Sequence, residues 1–245
     1  MVFKKNPQKL IESLQRFCFF TGEGYPTPDE MLKVISKARK DCLDSDSYEL
    51  EYWLGTALVY YNTWFVRGDE RKPYLEEAVY HLERAFALSE GKIPKEYPPH
   101  EVKEFGSLFR NDIACEVGQL LIDEAIIRDI EKGISYLRPV FKSSSYYHPL
   151  LCSYAEAYYK LGDYLKAAEV ALELHKRAEK EWRDKAPPAP LGIVAKSYRA
   201  QAKQHKKNGE IDQAIHYFQK LVDMDLATDN DQKLLKKLQE SLGKT

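Results

Sequence analysis

No stretch of the 245-residue chain approaches the ~20 consecutive apolar residues that a membrane-spanning helix needs, so no helical membrane insertion is expected. The first twenty residues are expected to be a polar lead-in to an amphipathic helix and not a secretory signal. Lys4 and Lys5 are followed by neither an uninterrupted apolar run nor a small-residue cleavage site, and a cytoplasmic location is the expectation. Cysteine is scarce and scattered. Cys18, Cys42, Cys115 and Cys152 form no C-x-x-C or similar pair, which argues against a zinc ribbon or a redox motif and leaves buried free thiols. Strand signals are nearly missing too, with no long period-2 alternation and no Asn-Gly or Asp-Gly hairpin turn between β-branched runs. Catalytic signatures are missing in turn: no G-x-x-x-x-G-K-[ST], no G-x-S-x-G and no H-E-x-x-H. The six histidines, His81, His100, His148, His175, His205 and His216, are spread out. His100 is followed by Glu101 and Glu104, where a helix start would attract acidic groups anyway. The expectation is a chain with no enzyme activity, no cofactor and no metal.

What remains is a well-solvated helical chain. Hydrophobic residues make up 44% and charged residues 31%, with a mean hydropathy of -0.54, enough apolar matter for a core under a polar surface. Net charge is -1 but unevenly spread: residues 1–125 carry 16 − 22 = -6 and residues 126–245 carry 21 − 16 = +5. Such polarity hints at an interaction surface. Leu10, Ile11, Leu14, Phe17 and Cys18 stand at helical spacing, and a break follows over residues 21–26. Thr27 then caps a second helix, with Pro28 at its first position and Asp29 and Glu30 facing the positive end of its dipole, running to about Leu43. A third helix starts near Asp46 or Ser47, and Gly68-Asp69 ends it. Pro73 opens a fourth that stops at Gly91, and the proline-rich stretch up to His100 is a loop. Helical patterns resume from about Glu101 to Arg128 and from Ile130 to Lys142, where Pro139 predicts a kink or an early end.

The clearest order lies between residues 114 and 226. Two helical hairpins turn at Gly162-Asp163 and at Gly209-Glu210. In each an apolar residue follows the glycine by two (Tyr164, Ile211) and an alanine by five (Ala167, Ala214). The glycine takes the left-handed backbone of a helix end, and the alanine lets two helices approach closely. The plan resembles the tetratricopeptide repeat family, a helix–turn–helix unit of 34 residues. His148 to about Glu181 fits best, through Tyr154, Ala155, Tyr158, Gly162, Tyr164 and Ala167. The last repeat offers Tyr198, Ala202, Gly209, Ile211, Ala214 and Phe218, with His205 in place of the usual aromatic. Upstream, Gly133 lies 34 residues before Ala167, and Trp53-Leu54-Gly55 with Ala78 and Leu82 resembles a divergent repeat with a lengthened turn. Ala167 and Ala214 are 47 residues apart instead of 34, so the spacing is irregular. The resemblance implies an all-α, right-handed superhelix of stacked helical hairpins, an α-solenoid. An N-terminal helical segment over 1–45 would precede hairpins at 46–91, 101–142, 148–182 and 191–226. A capping helix at 229–243 would carry Leu234, Leu235, Leu238 and Leu242 on one face.

Lys196, Arg199, Lys203 and Lys206, spaced by three, four and three, share a helical face within roughly an 80° arc. The repeat frame places Cys152, Glu156 and Tyr159 beside them on the groove wall of the preceding hairpin. A cationic stripe of this kind suits an acidic peptide or a terminal carboxylate. It suits equally the solvated face of a surface helix, and both readings stay open. Adjacent aromatics (Tyr60-Tyr61, Trp64-Phe65, Tyr146-Tyr147, Tyr158-Tyr159) point about 100° apart on a helix, which sends one of each pair to the core. The functional expectation is a protein-interaction scaffold, adaptor or assembly subunit. It would hold a peptide or helix of a partner protein in the groove through Glu156, Tyr159, Lys196, Arg199, Lys203 and Lys206, with self-association open. Nucleic-acid binding by the basic half is the alternative.

Overall fold

The computed structural model describes residues 7–19, 26–95, 108–144, 147–182 and 186–242. Among the described residues there is no strand. The helices are α1 (Gln8–Phe19), α2 (Pro28–Leu43), α3 (Tyr48–Phe65), α4 (Arg71–Leu88), α5 (Arg110–Asp123), α6 (Ile130–Ser143), α7 (Cys152–Lys160), α8 (Tyr164–Trp182), α9 (Ala189–Lys207), α10 (Ile211–Asp223) and α11 (Asp229–Leu242). They fall into two compact units, the first ending at Tyr136 and the second beginning at Leu137. In each, most helices pack chiefly on their neighbours in the chain, the hairpin-on-hairpin order of an α-solenoid.

In the first unit α3 is the hub, packed against α1, α2 and α4. Every residue from Leu50 to Leu58 is buried, which a helix tolerates only when neighbours surround it. The N-terminal segment 1–45 therefore supplies two helices to the same core as α3. Thr27 caps α2 as its sequence predicts. Its hydroxyl accepts from the Glu30 amide at 3.3 Å while the Glu30 carboxylate accepts from the Thr27 amide at 2.8 Å, a reciprocal capping box. Ser47 does the same single-sidedly for α3. Gly55 marks the close approach of α3 to α4: a β-carbon there would lie 2.7 Å from Leu82 Cγ and 3.1 Å from the Ala78 carbonyl. The residues of the divergent hairpin thus meet in space as their spacing implies.

The second unit repeats a simpler plan. α7 and α8, then α9 and α10, are joined at Gly162 (φ +82°) and Gly209 (φ +80°). Both ends are Schellman turns. The Asp163 amide donates to the Tyr158 carbonyl and the Gly162 amide to Tyr159, and Glu210 and Gly209 donate likewise to His205 and Lys206. Ala167 and Ala214 are fully buried, the close-packing role their spacing predicts. His205 fills the aromatic position by stacking nearly parallel on Tyr217, with centroids 5.5 Å apart. The terminal helix α11 buries Leu235 and Leu238 against α10, while Leu242 is exposed.

Three boundaries differ from expectation. Pro139 does not end α6, which runs on to Ser143, because proline's fixed φ suits a helix and the loss is confined to one amide donor. Pro73 sits in the first turn of α4, which opens two residues earlier at Arg71, where the amides have no intrahelical partner. The long pattern over 101–128 resolves into α5 beginning at Arg110 and a separate 3-10 turn over Ala125–Ile127. Residues 101–107, with Glu101 and Glu104, lie outside the described residues, as do the break at 21–25, Tyr146 and His100.

Candidate functional sites

The six residues of the basic stripe and its neighbours lie on the first helices of successive hairpins, α7 and α9, which pack against each other. Glu156 and Tyr159 are one turn apart on α7, and Lys196 reaches both from α9. Its ammonium bonds the Glu156 carboxylate and lies 4.5 Å from the centre of the Tyr159 ring. Charge pairing and the negative face of the ring together hold that cation in place. Tyr159 also packs on Tyr164, at 5.3 Å between centroids, and both Tyr158 and Tyr159 are half-buried.

Arg199 is committed elsewhere. Its Nε donates to Asp231 Oδ2 at 2.7 Å and its terminal nitrogen to the Leu226 carbonyl at 2.7 Å, which fastens the start of α11 onto α9. Asp231 is 4% exposed and also accepts from the Thr228 amide and hydroxyl, closing another capping box. Burial alone would raise its carboxyl, but the Thr228 amide and the Arg199 guanidinium outweigh that and hold it below the usual carboxylate range. Lys203 and Lys206 are exposed, and neither makes an ion pair among the described residues. The structure thus brings Glu156, Tyr159 and Lys196 together, assigns Arg199 to the cap, and leaves two cations outward.

A second polar constellation, in the first unit, went unnoticed in the sequence. Glu51 of α3 is completely buried, and its Oε2 lies 2.6 Å from His81 Nδ1 of α4. His81 Nε2 is 3.6 Å from Glu77 Oε1, one turn earlier on α4. Glu77 in turn accepts a two-pronged contact from Arg39 of α2, at 2.5 and 2.6 Å. Arg84 Nε stands 3.2 Å from Glu51 Oε1 and its outer nitrogen 3.6 Å from exposed Asp46. The Cys42 thiol of α2 is buried against the same carboxylate. Burial, and behind it the Glu51 charge, pushes that thiol up to about 12. His81 is raised: burial opposes its charge, but the carboxylates of Glu51 and Glu77 overcome the opposition. Glu77 is held down at about 2, since the hydrogen bonds from His81 and Arg39 outweigh its desolvation. The signal available in the sequence was Glu77 four residues before His81, one turn back on the same face. Cys42 and Glu51 come from other helices and carry no spacing to find.

No family model matches the chain, and no curated protein matches it. Among solved structures, the nuclear import adaptor Nro1 of S. pombe is similar at a TM-score of 0.48 and 13% identity, covering 96% of this chain and 82% of that one.

Proposed function

We propose that the chain is a non-catalytic scaffold of tetratricopeptide-like hairpins that binds a segment of a partner protein across the α7–α9 face. The supporting observation is the Lys196 contact with Glu156 and Tyr159, which joins the first helices of two hairpins into one continuous surface while Lys203 and Lys206 stay unpaired on it. A preordered face with an aromatic floor and two outward cations suits an acidic peptide or helix. Nucleic acid is disfavoured, because two of the four cations in the stripe are already matched by Glu156 and Asp231. A flat response to single-stranded RNA and DNA at low salt removes that alternative.

The test is cross-linking of the full chain in its native complex, followed by Lys203→Glu with Lys206→Glu. Partner cross-links are expected on Lys203 and Lys206, and the double reversal should weaken association about tenfold, more at low salt than at high. A chain that in pull-down and sizing at micromolar concentration stays a non-associating monomer with no partner, or cross-links that map away from α7 and α9, would sink the proposal.

A further inference from the structure

We infer that Cys42, Glu51 and His81 form a binding site for one divalent transition-metal ion, zinc foremost, between α2, α3 and α4. The three donor atoms, a sulfur, a carboxylate oxygen and an imidazole nitrogen, all lie within 4.8 Å of one another. All three residues are more than nine-tenths buried, at 2%, 0% and 6% exposure. A mixed S, N, O set is the chemistry of zinc and its transition-metal neighbours. Calcium and magnesium would call for oxygens alone.

Two further features point the same way. Glu51 Oε1, wholly buried, accepts no well-aligned hydrogen bond, since Arg84 Nε approaches it at 3.2 Å but out of line. A buried carboxylate oxygen without an aligned donor is costly, and a coordinated metal ion would satisfy it. His81 presents Nδ1 to the donor cluster while Nε2 faces Glu77, itself anchored by Arg39. A carboxylate behind a histidine is the outer arrangement that fixes the ring of a zinc ligand.

The geometry needs only a small adjustment. Zinc bonds of about 2.0–2.3 Å set tetrahedral donors roughly 3.4–3.8 Å apart. Cys42 would close in by at most about 1 Å, and His81 and Glu51, now 2.6 Å apart, would separate by a similar amount. Arg84 is the part that borders solvent, about a third exposed (32%) and already reaching toward Asp46. Its withdrawal opens the fourth position to water. The site lies in the first unit and stands apart from the partner-binding proposal.

The experiment is a titration of the intact, chelator-treated chain with Co²⁺ alone. One equivalent should give a near-ultraviolet thiolate-to-cobalt charge-transfer band and a tetrahedral visible spectrum, both abolished by Zn²⁺. Cys42→Ser should lose the charge-transfer band, Cys115→Ser should keep it, and Glu77→Gln should weaken affinity at least tenfold. An octahedral cobalt spectrum without the thiolate band, or a band that survives Cys42→Ser, overturns the site. Should Cys42→Ser fail to fold, X-ray absorption of the zinc-loaded wild-type chain decides: one sulfur among nitrogen and oxygen neighbours supports the site, while none or two refutes it.

Discussion

Glu51 is a carboxyl side chain at zero exposure in the first turn of a buried helix, and only its neighbours make that tenable. Two charges removed from water must recover their hydration from each other, and stripping one partner leaves the other stranded. Glu51→Ala, which strands His81 and the inner end of Arg84, should therefore cost about 3–5 kcal/mol of stability. Urea unfolding in chelating buffer measures it, and a loss within experimental scatter of zero would mean the cluster is solvated. Little of this was legible beforehand. In the sequence Glu51 looks like any polar residue opening a helix, 30 residues from the histidine it contacts. The α7–α9 residues were easier to find, because Lys196 and Glu156 both follow from the hairpin frame. Arg199 shows the limit of that frame: its partner Asp231 lies 32 residues on, in the cap. A cationic stripe announces its charges but not which of them are already spent on the fold.

Hairpin elements are where glycine earns opposite signs. Gly133 stands one repeat period before Ala167, yet even alanine does not fit there. A β-carbon would lie 2.6 Å from Ile122 Cγ1 and 2.9 Å from the Gly118 carbonyl, and a backbone oxygen cannot step aside cheaply. Gly133→Ala should destabilise by about 1–3 kcal/mol despite alanine's better helix propensity. Gly192, inside α9, has nothing within 4 Å of its would-be β-carbon. Gly192→Ala should stabilise by about 0.5–1 kcal/mol, since only the backbone entropy term changes. Paired thermal melts check both, and equal signs for the two variants would refute the packing account. Elements of this kind were the most legible level of the structure. Turn glycines at 162 and 209, with φ of +82° and +80°, and fully buried alanines at 167 and 214 carry strong local signatures. The start of α5 and the passage of α6 through Pro139 were not legible. A helix boundary depends on which amides find partners in three dimensions, and one missing donor does not stop a helix packed on both sides of it.

For the molecule as a whole, a solenoid-like unit is weakest at its ends, because a terminal helix has a neighbour on one side only. In the second unit that end is α11, held by Leu235 and Leu238 and by the Asp231–Arg199 contact. Asp231 has a depressed folded-state pKa, so its contribution is fully present above the ordinary carboxylate range and fades as pH falls through the lower folded value. Acid should therefore release α11 before it disturbs α7–α10. Hydrogen exchange of the α11 amides, followed from neutral pH downward, should accelerate first. Asp231→Asn should exchange fast at every pH and approach the wild type in acid, because protonation and substitution remove the same charge. The apolar contacts of Leu235 and Leu238 do not titrate, so a wild-type α11 whose protection stays flat as the pH falls well below the usual aspartate range would assign the cap to them alone.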